Sequence, residues 1–236
     1  MIDGPDDRFD GLDVELYWAD VTELESGERA EIESMMSPDE RRRGRRIRHP
    51  GSKRCHLVTR RLVRRVLSTK GERRPGAWRF DIGEFGRPRL ANPTPTIEDL
   101  DFNIAHSDRR VVMALTFEGR VGVDLEPVDR EIDAELVAEK FFHDSERAVI
   151  GGLDGSRRRH RFLQLGVIKE AWMKADGRGI GAGLDEVIVE FDDSDSPRLV
   201  ALPESDVDRW RVAIDVVDDH LVAVCHRRND AGQLSR

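Results

Sequence analysis

The sequence predicts an α+β protein. Three observations lead there. Apolar stretches of strand length fall into groups, at residues 102–126 and 187–226; segments with helical periodicity occupy the intervals; and both halves of the chain mix the two, with strands that read as antiparallel. At 236 residues the chain suits one large domain or two small ones, and is long enough to bury a real core.

Each element has its own signal. Val14-Glu15-Leu16-Tyr17-Trp18 alternates as a strand does, and Glu28 to Met36 reads as a helix. Ser37-Pro38-Asp39-Glu40 is a helix start, with a capping hydroxyl, proline at the first position and acids in the first turn. Residues 53–67 form a second helix whose apolar side is Leu57, Leu62, Val63, Val66 and Leu67. Trp78 to Ile82 is a strand; Gly83 to Pro88 and Asn92-Pro93-Thr94-Pro95 are turns. Strands follow at 102–104, 111–117 and, after a turn at Gly119, 121–126. Residues 133–141 and 145–151 read as helices, and 157–175 as a longer one with Phe162, Leu165, Ile168 and Trp172 about a turn apart and Gly177 placed to stop it. The remainder is strands, at 187–191, 199–202, 210–217 and 221–226; no low-complexity tract or strong sequence repeat stands out.

Composition narrows the classes. Two cysteines, Cys55 and Cys225, build neither a disulfide framework nor a zinc cluster and point to a reducing compartment. The acidic start, Met1 to Asp7, lacks the basic and apolar parts of a signal peptide, and no run approaches 18 apolar residues, so a cytoplasmic protein without a membrane span is expected. A net charge of -8 argues against wholesale nucleic-acid binding. Residues 41–65 nevertheless hold eleven arginines and one lysine without an acid. Such a run is a phosphate cradle, a docking surface for an acidic partner, a nucleic-acid patch or a solvated helix face; the lack of interleaved aromatics weakens single-strand binding.

Asp124 and Glu126, two apart on one strand, share a face. They are either the solvated face of an edge strand or ligands for a hard divalent cation, which favours oxygen donors. Glu170 and Lys174, four apart on the long helix, are either a surface ion pair or a third carboxylate with a phosphate contact beside it, and Lys169 adjoins them. His106 ends an apolar strand, a position that serves hydrogen bonding as readily as catalysis.

Together these pieces resemble the Sfp-type 4′-phosphopantetheinyl transferase family. Its Gly-hydrophobic-Asp-x-Glu strand is matched by Gly122 to Glu126, and its Lys-Glu-x-x-x-Lys helix by Lys169 to Lys174, 43 residues beyond Glu126. Gly86-Arg87-Pro88, Phe102 to Ser107, Phe141-Phe142 with Ser145-Glu146, and Ala175 to Gly179 match further motifs in order, and Ser37-Pro38 has a counterpart ahead of the basic run, so that the likeness covers residues 12–228. Departures are Gly166 and Val167, where an aromatic and a small polar residue are common; Ala105 before the histidine; and Cys55-His56, beside which Arg54 or Arg60 stands as a substitute.

The resemblance implies two similar α+β subdomains forming a pseudo-dimer, 1–118 and 119–236, with coenzyme A in the cleft between them. It implies a holo-[acyl-carrier-protein] synthase type transferase that moves the phosphopantetheine arm to a serine of an apo acyl or peptidyl carrier protein. The implied metal is Mg²⁺, with Mn²⁺ as a substitute, held by Asp124, Glu126 and Glu170. Lys174 and Lys169 would contact phosphate from the second half, and Arg87 and His106 from the first. Arg41, Arg43 and Arg54 are the candidates for the 3′-phosphate. The implied catalytic residues are Glu170, Lys174 and Asp124, with Glu170 or a water on the metal taking the serine proton. A monomer without a nucleic-acid partner is expected; the alternative is a non-catalytic binder of coenzyme A or a carrier protein.

Overall fold

The structure, a computed structural model, describes residues 2–107, 109–131, 141–179, 183–203 and 206–229. The helix predicted at 133–141 lies, but for its last residue, outside them.

Two halves repeat one plan. The first contains β1 (Asp3–Asp6), β2 (Glu15–Asp20), α1 (Ser26–Met35), α2 (Pro38–Arg46), α3 (Pro50–Gly71), the small hairpin β3 (Phe80–Ile82) and β4 (Pro88–Leu90), and the long hairpin β5 (Asp101–His106) and β6 (Arg110–Thr116). The second contains β7 (Arg120–Pro127), α4 (Asp144–Gly151), α5 (Gly155–Asp176), the small hairpin β8 (Ile188–Phe191) and β9 (Pro197–Ala201), and the long hairpin β10 (Trp210–Val217) and β11 (His220–Arg227). In each, a strand leads through a 22-residue helix to a small hairpin and then a long one. The sheet orders correspond: β5-β6-β2 with β1 added at the edge, and β10-β11-β7.

Alternation along the strands builds a four-layer stack. Tyr17, Val111 and Met113 face α3, and Leu16, Trp18, Val112 and Ala114 face the other way, against Val121, Val123, Leu125, Val222 and Val224 of the second sheet. The opposite face of that sheet packs on Ile168, Ala171, Trp172 and Ala175 of α5. The sheets also meet edge to edge. Asp101 Oδ2 accepts the Val121 N–H at 2.9 Å, and Asn103 Oδ1 accepts that of Val123 at 3.2 Å, so β5 side chains satisfy the free edge of β7.

Most predicted elements are present within a residue or three of their expected ends. α2 begins at the Ser37 cap, with Glu40 closing a capping box, and Gly177 ends α5 in the left-handed conformation at φ 83°. Two strands escape the sequence pattern. β1 is acidic and has no apolar alternation, and its structure comes from pairing with β2. β4 sits within the predicted turn region because Pro88 opens an edge strand, where a missing N–H costs nothing.

Candidate active site

Gly122, Asp124 and Glu126 lie on the face of β7 that meets α5, as the period of two requires. The approach is close: a Cβ on Gly122 would stand 2.0 Å from the Ala171 carbonyl oxygen and 2.5 Å from the Ala175 nitrogen. This contact brings Asp124 under the last turns of α5, where Lys174 Nζ donates to its Oδ1 at 2.6 Å and to the Val123 carbonyl at 3.2 Å. Asp124 is buried, and its second oxygen, Oδ2, has no hydrogen-bond partner among the described residues. Glu126 contacts Arg130. Burial raises the Glu126 carboxyl above its usual range; Arg130 opposes that rise and Asp124 adds to it. Glu170 is pushed up to about 7 by crowding of protein around its carboxyl and by the charges of Asp124 and Glu126, against Lys174 and Arg130. Burial is the larger cause, and because the side chain also meets solvent, water tempers both the burial and the repulsion. The three acids sense one another, and an orphaned oxygen lies among them.

This acidic centre lies along a continuous groove. A central compartment of about 590 Å³ is lined by Gly86, Pro88, Asn103 and Ile104 of the first half and Met173 and Lys174 of the second. Through Gly86, Pro88 and Ile104 it continues into a basic compartment of about 400 Å³ that contains Arg43, His56, Arg60 and His106. Through Met173 it continues the other way, past Glu170 and Glu126, into an apolar recess with Phe141, Phe142, Phe162 and Gly166. Arginines and histidines line one end of the groove, and the acids Glu170 and Glu126, with Arg130 beside them, lie towards the other.

The sequence-predicted residues divide accordingly. Asp124, Glu126, Glu170 and Lys174 come together, and Arg43 and His106 line the basic end. Four others are held by protein partners. Arg41 donates to the carbonyls of Glu33, at 3.0 Å, and Met36, which ties α1 to α2. Arg54 pairs with Glu23 at 2.8 Å. Arg87 lines the central compartment and is also a staple between the halves: it pairs with Asp101 and donates to the carbonyls of Phe102, Val121 and Lys174. Lys169 is 1% exposed, 2.5 Å from Glu146, and donates to the Leu184 carbonyl at 2.9 Å. One residue along a helix turns a side chain by about 100°, so Lys169 points into the core where Glu170 points into the groove.

His56 entered the sequence reading only as a departure, and Arg60 only as a substitute beside it. Burial, with Arg60 and Arg43 close by, holds the His56 imidazole below its usual range, against the pull of the Glu40 carbonyl. Arg60 Nε is buried without a hydrogen-bond partner among the described residues and lies 3.6 Å from Glu40. The sequence signal for these two was the unusual Cys55-His56 pair inside an arginine run.

No cluster of three or more metal-ligating side chains is already closed among the described residues. The donor set fits a hard cation all the same: three oxygen-bearing side chains, one buried oxygen without a partner, and repulsion that a positive ion would relieve. Among the described residues no helix is long and apolar enough to cross a membrane.

Residues 120–225 match the 4′-phosphopantetheinyl transferase superfamily. A Synechocystis sp. protein named as a 4′-phosphopantetheinyl transferase is 30% identical over 210 residues, which cover 86% of this chain and 83% of that one. The 4′-phosphopantetheinyl transferase Sfp of Bacillus subtilis is 29% identical, with 88% and 89% covered. Among solved structures, a holo-(acyl-carrier-protein) synthase from Bacillus anthracis, in complex with CoA (3′,5′-ADP), is 27% identical and covers 48% of this chain and 97% of its own, at a TM-score of 0.41.

Proposed function

The chain belongs to the 4′-phosphopantetheinyl transferase superfamily and moves the phosphopantetheine arm of coenzyme A onto a carrier protein; on that premise we propose that transfer takes place in the groove between halves 1–118 and 119–236, with Mg²⁺ or Mn²⁺ held by Asp124, Glu126 and Glu170. The observation that carries this reading is the meeting of these three acids beside Lys174, with Asp124 Oδ2 buried and unpartnered.

When bound, the cation neutralises charge on the diphosphate and on the departing 3′,5′-ADP. The chain's own groups do the rest. Lys174 already holds Asp124 and lines the central compartment, so its ammonium stabilises phosphate oxygens there. Arg43 and Arg60, with His56 and His106 beside them, form the most cationic part of the groove and receive the nucleotide's 3′-phosphate. The carrier serine Oγ attacks the phosphorus on the pantetheine side; its new P–O bond replaces the one to 3′,5′-ADP. Glu170, which points into the groove beside Asp124 and Glu126, takes the serine proton.

The acceptor is an apo acyl or peptidyl carrier domain, as for a holo-[acyl-carrier-protein] synthase type enzyme, and the transferase works as a monomer without nucleic acid. Incubation with an apo carrier, coenzyme A and Mg²⁺ should add the mass of one phosphopantetheine to the carrier. A carrier that is bound yet gains no mass would make the chain a non-catalytic binder.

A further inference from the structure

Ser107 and His220 are 113 residues apart in the chain and 2.8 Å apart in space, Oγ to Nε2. Ser107 directly follows His106, the last residue of β5, and faces the basic compartment. His220 is fully buried and opens β11 in the other half. The Ser107 hydroxyl already accepts the N–H groups of Arg109 and Arg110, each at 3.1 Å. Its single proton therefore goes to His220 Nε2, which fixes the imidazole with its proton on Nδ1. Asp219 Oδ1 lies 2.5 Å from that Nδ1. Serine, histidine and aspartate in this order also drive hydrolases. Here two backbone donors already hold the serine oxygen and fix its position.

The surroundings are built as a junction. Arg109 pairs with Asp219 at 2.5 Å, and Arg110 pairs with Asp218 and, at 3.2 Å, with Asp20. The Val128 N–H, just past β7, donates to the Asp219 carbonyl at 3.0 Å. The segment after His106 is thus gripped by the β10–β11 turn, which itself is anchored to the strand carrying Asp124 and Glu126. Among these cross-half contacts the bond from His220, itself buried, is the one that lands on the residue next to His106.

We propose that His220 is a positioning residue for the nucleotide end of the groove: reaching from the second half, it fixes through Ser107 the direction in which His106 meets the 3′-phosphate. This rests on the proposed function. It adds that the phosphate-binding side chain of one half is aimed by the other.

The test compares coenzyme A with dephospho-coenzyme A, which lacks the 3′-phosphate, in carrier transfer. Wild-type transfer, and a raised KM for coenzyme A in His106→Ala, establish the underlying reading on their own. His220→Leu and Ser107→Ala are then each expected to raise KM for coenzyme A about tenfold, to change kcat less than twofold, and to leave KM for dephospho-coenzyme A near wild type. The double variant should be no worse than either single one, because both break the same bond. His220→Gln, whose side-chain carbonyl accepts the serine proton, should restore KM. Equal losses with both donors, a fall confined to kcat, additive effects in the double variant, or no recovery in His220→Gln would each overturn the proposal. Should His220→Leu fail to fold, Ser107→Ala carries the same comparison.

Discussion

Gly122→Ala joins the fold and the chemistry in one methyl group. The added Cβ would lie 2.0 Å from the Ala171 carbonyl oxygen, where ordinary contact begins near 3.4 Å, so β7 and α5 must part by about 1.4 Å. The obstacle is backbone on a buried helix, with Ala171 and Ala175 both fully enclosed, and no side chain can swing away. Overpacking of this kind costs about 1–3 kcal/mol. The functional cost should exceed the structural one. The displaced surfaces are those that carry Asp124 and Glu126 on one side and Glu170 and Lys174 on the other, and a 1 Å misplacement costs on the order of 10²-fold in rate. Carrier transfer followed by mass spectrometry, beside urea unfolding, should therefore show kcat reduced about a hundredfold while the protein remains folded. Gly166→Ala is the matched control: its Cβ meets nothing within 4 Å, so removing a helix glycine should raise stability by about 1 kcal/mol. Gly122→Ala with wild-type kcat would refute the claim that this strand-helix contact sets the catalytic geometry.

Three further expectations follow from the same structure. Asp124→Ala and Glu170→Ala should each abolish transfer with native circular dichroism; measurable turnover in Glu170→Ala would remove it as both ligand and base. Glu146→Leu should cost about 3–5 kcal/mol in urea unfolding, because it leaves the Lys169 ammonium buried without its partner, and a loss under about 1 kcal/mol would show that Lys169 is not held as described. His226 is fully buried, with Nε2 2.5 Å from the Glu118 carbonyl, and burial depresses its affinity for protons. Its contribution to stability is complete above the unfolded value of about 6.5 and is lost below it, by up to about 1.4 kcal/mol per pH unit. Glu170 acts with the opposite sign in the same window, so the decisive quantity is the difference between variants. Between pH 7.5 and 5.5 the stability of His226→Gln should fall less than that of wild type, and parallel curves would exclude the buried histidine as an acid-labile element.

What the sequence made legible, and what it hid, follows from the range of each signal. Asp124 and Glu126 were readable as a pair because a strand's period of two is local, and Glu170 and Lys174 because a helix's i,i+4 spacing is local too. Burial direction was less readable. Lys169 and Glu170 are neighbours in a charged motif, and only the packing of α5 shows that the first turns inward to Glu146. Arg41, Arg43 and Arg54 look alike in a run of arginines, yet local carbonyls hold Arg41, Glu23 holds Arg54, and Arg43 reaches the groove. Arg87 was legible as a motif residue but not as a staple, because its partners come from three separate segments.

The deepest similarity between the halves lies in ion pairing, where residue identity hides it. Arg64 and Lys169 each occupy the fifteenth position of a 22-residue helix. Each is 1% exposed. Each pairs with a glutamate at the third position of the short helix before it, Glu40 in α2 and Glu146 in α4. Those glutamates also close capping boxes, on the N–H of Ser37 at 2.8 Å and of His143 at 3.0 Å. Arg64 donates to the Trp78 carbonyl and Lys169 to that of Leu184, so both cations also tie down the segment that leaves their helix. A charge buried in this way does structural work in both halves, and conversion of Lys169 to a phosphate ligand would break the second copy of the device. The next position along is where the halves part: Arg65 pairs with Glu31 at the surface, and Glu170 faces Asp124 and Glu126. One helix face thus keeps the fold in both halves, while the position beside it carries a surface arginine in one copy and a groove-facing glutamate in the other.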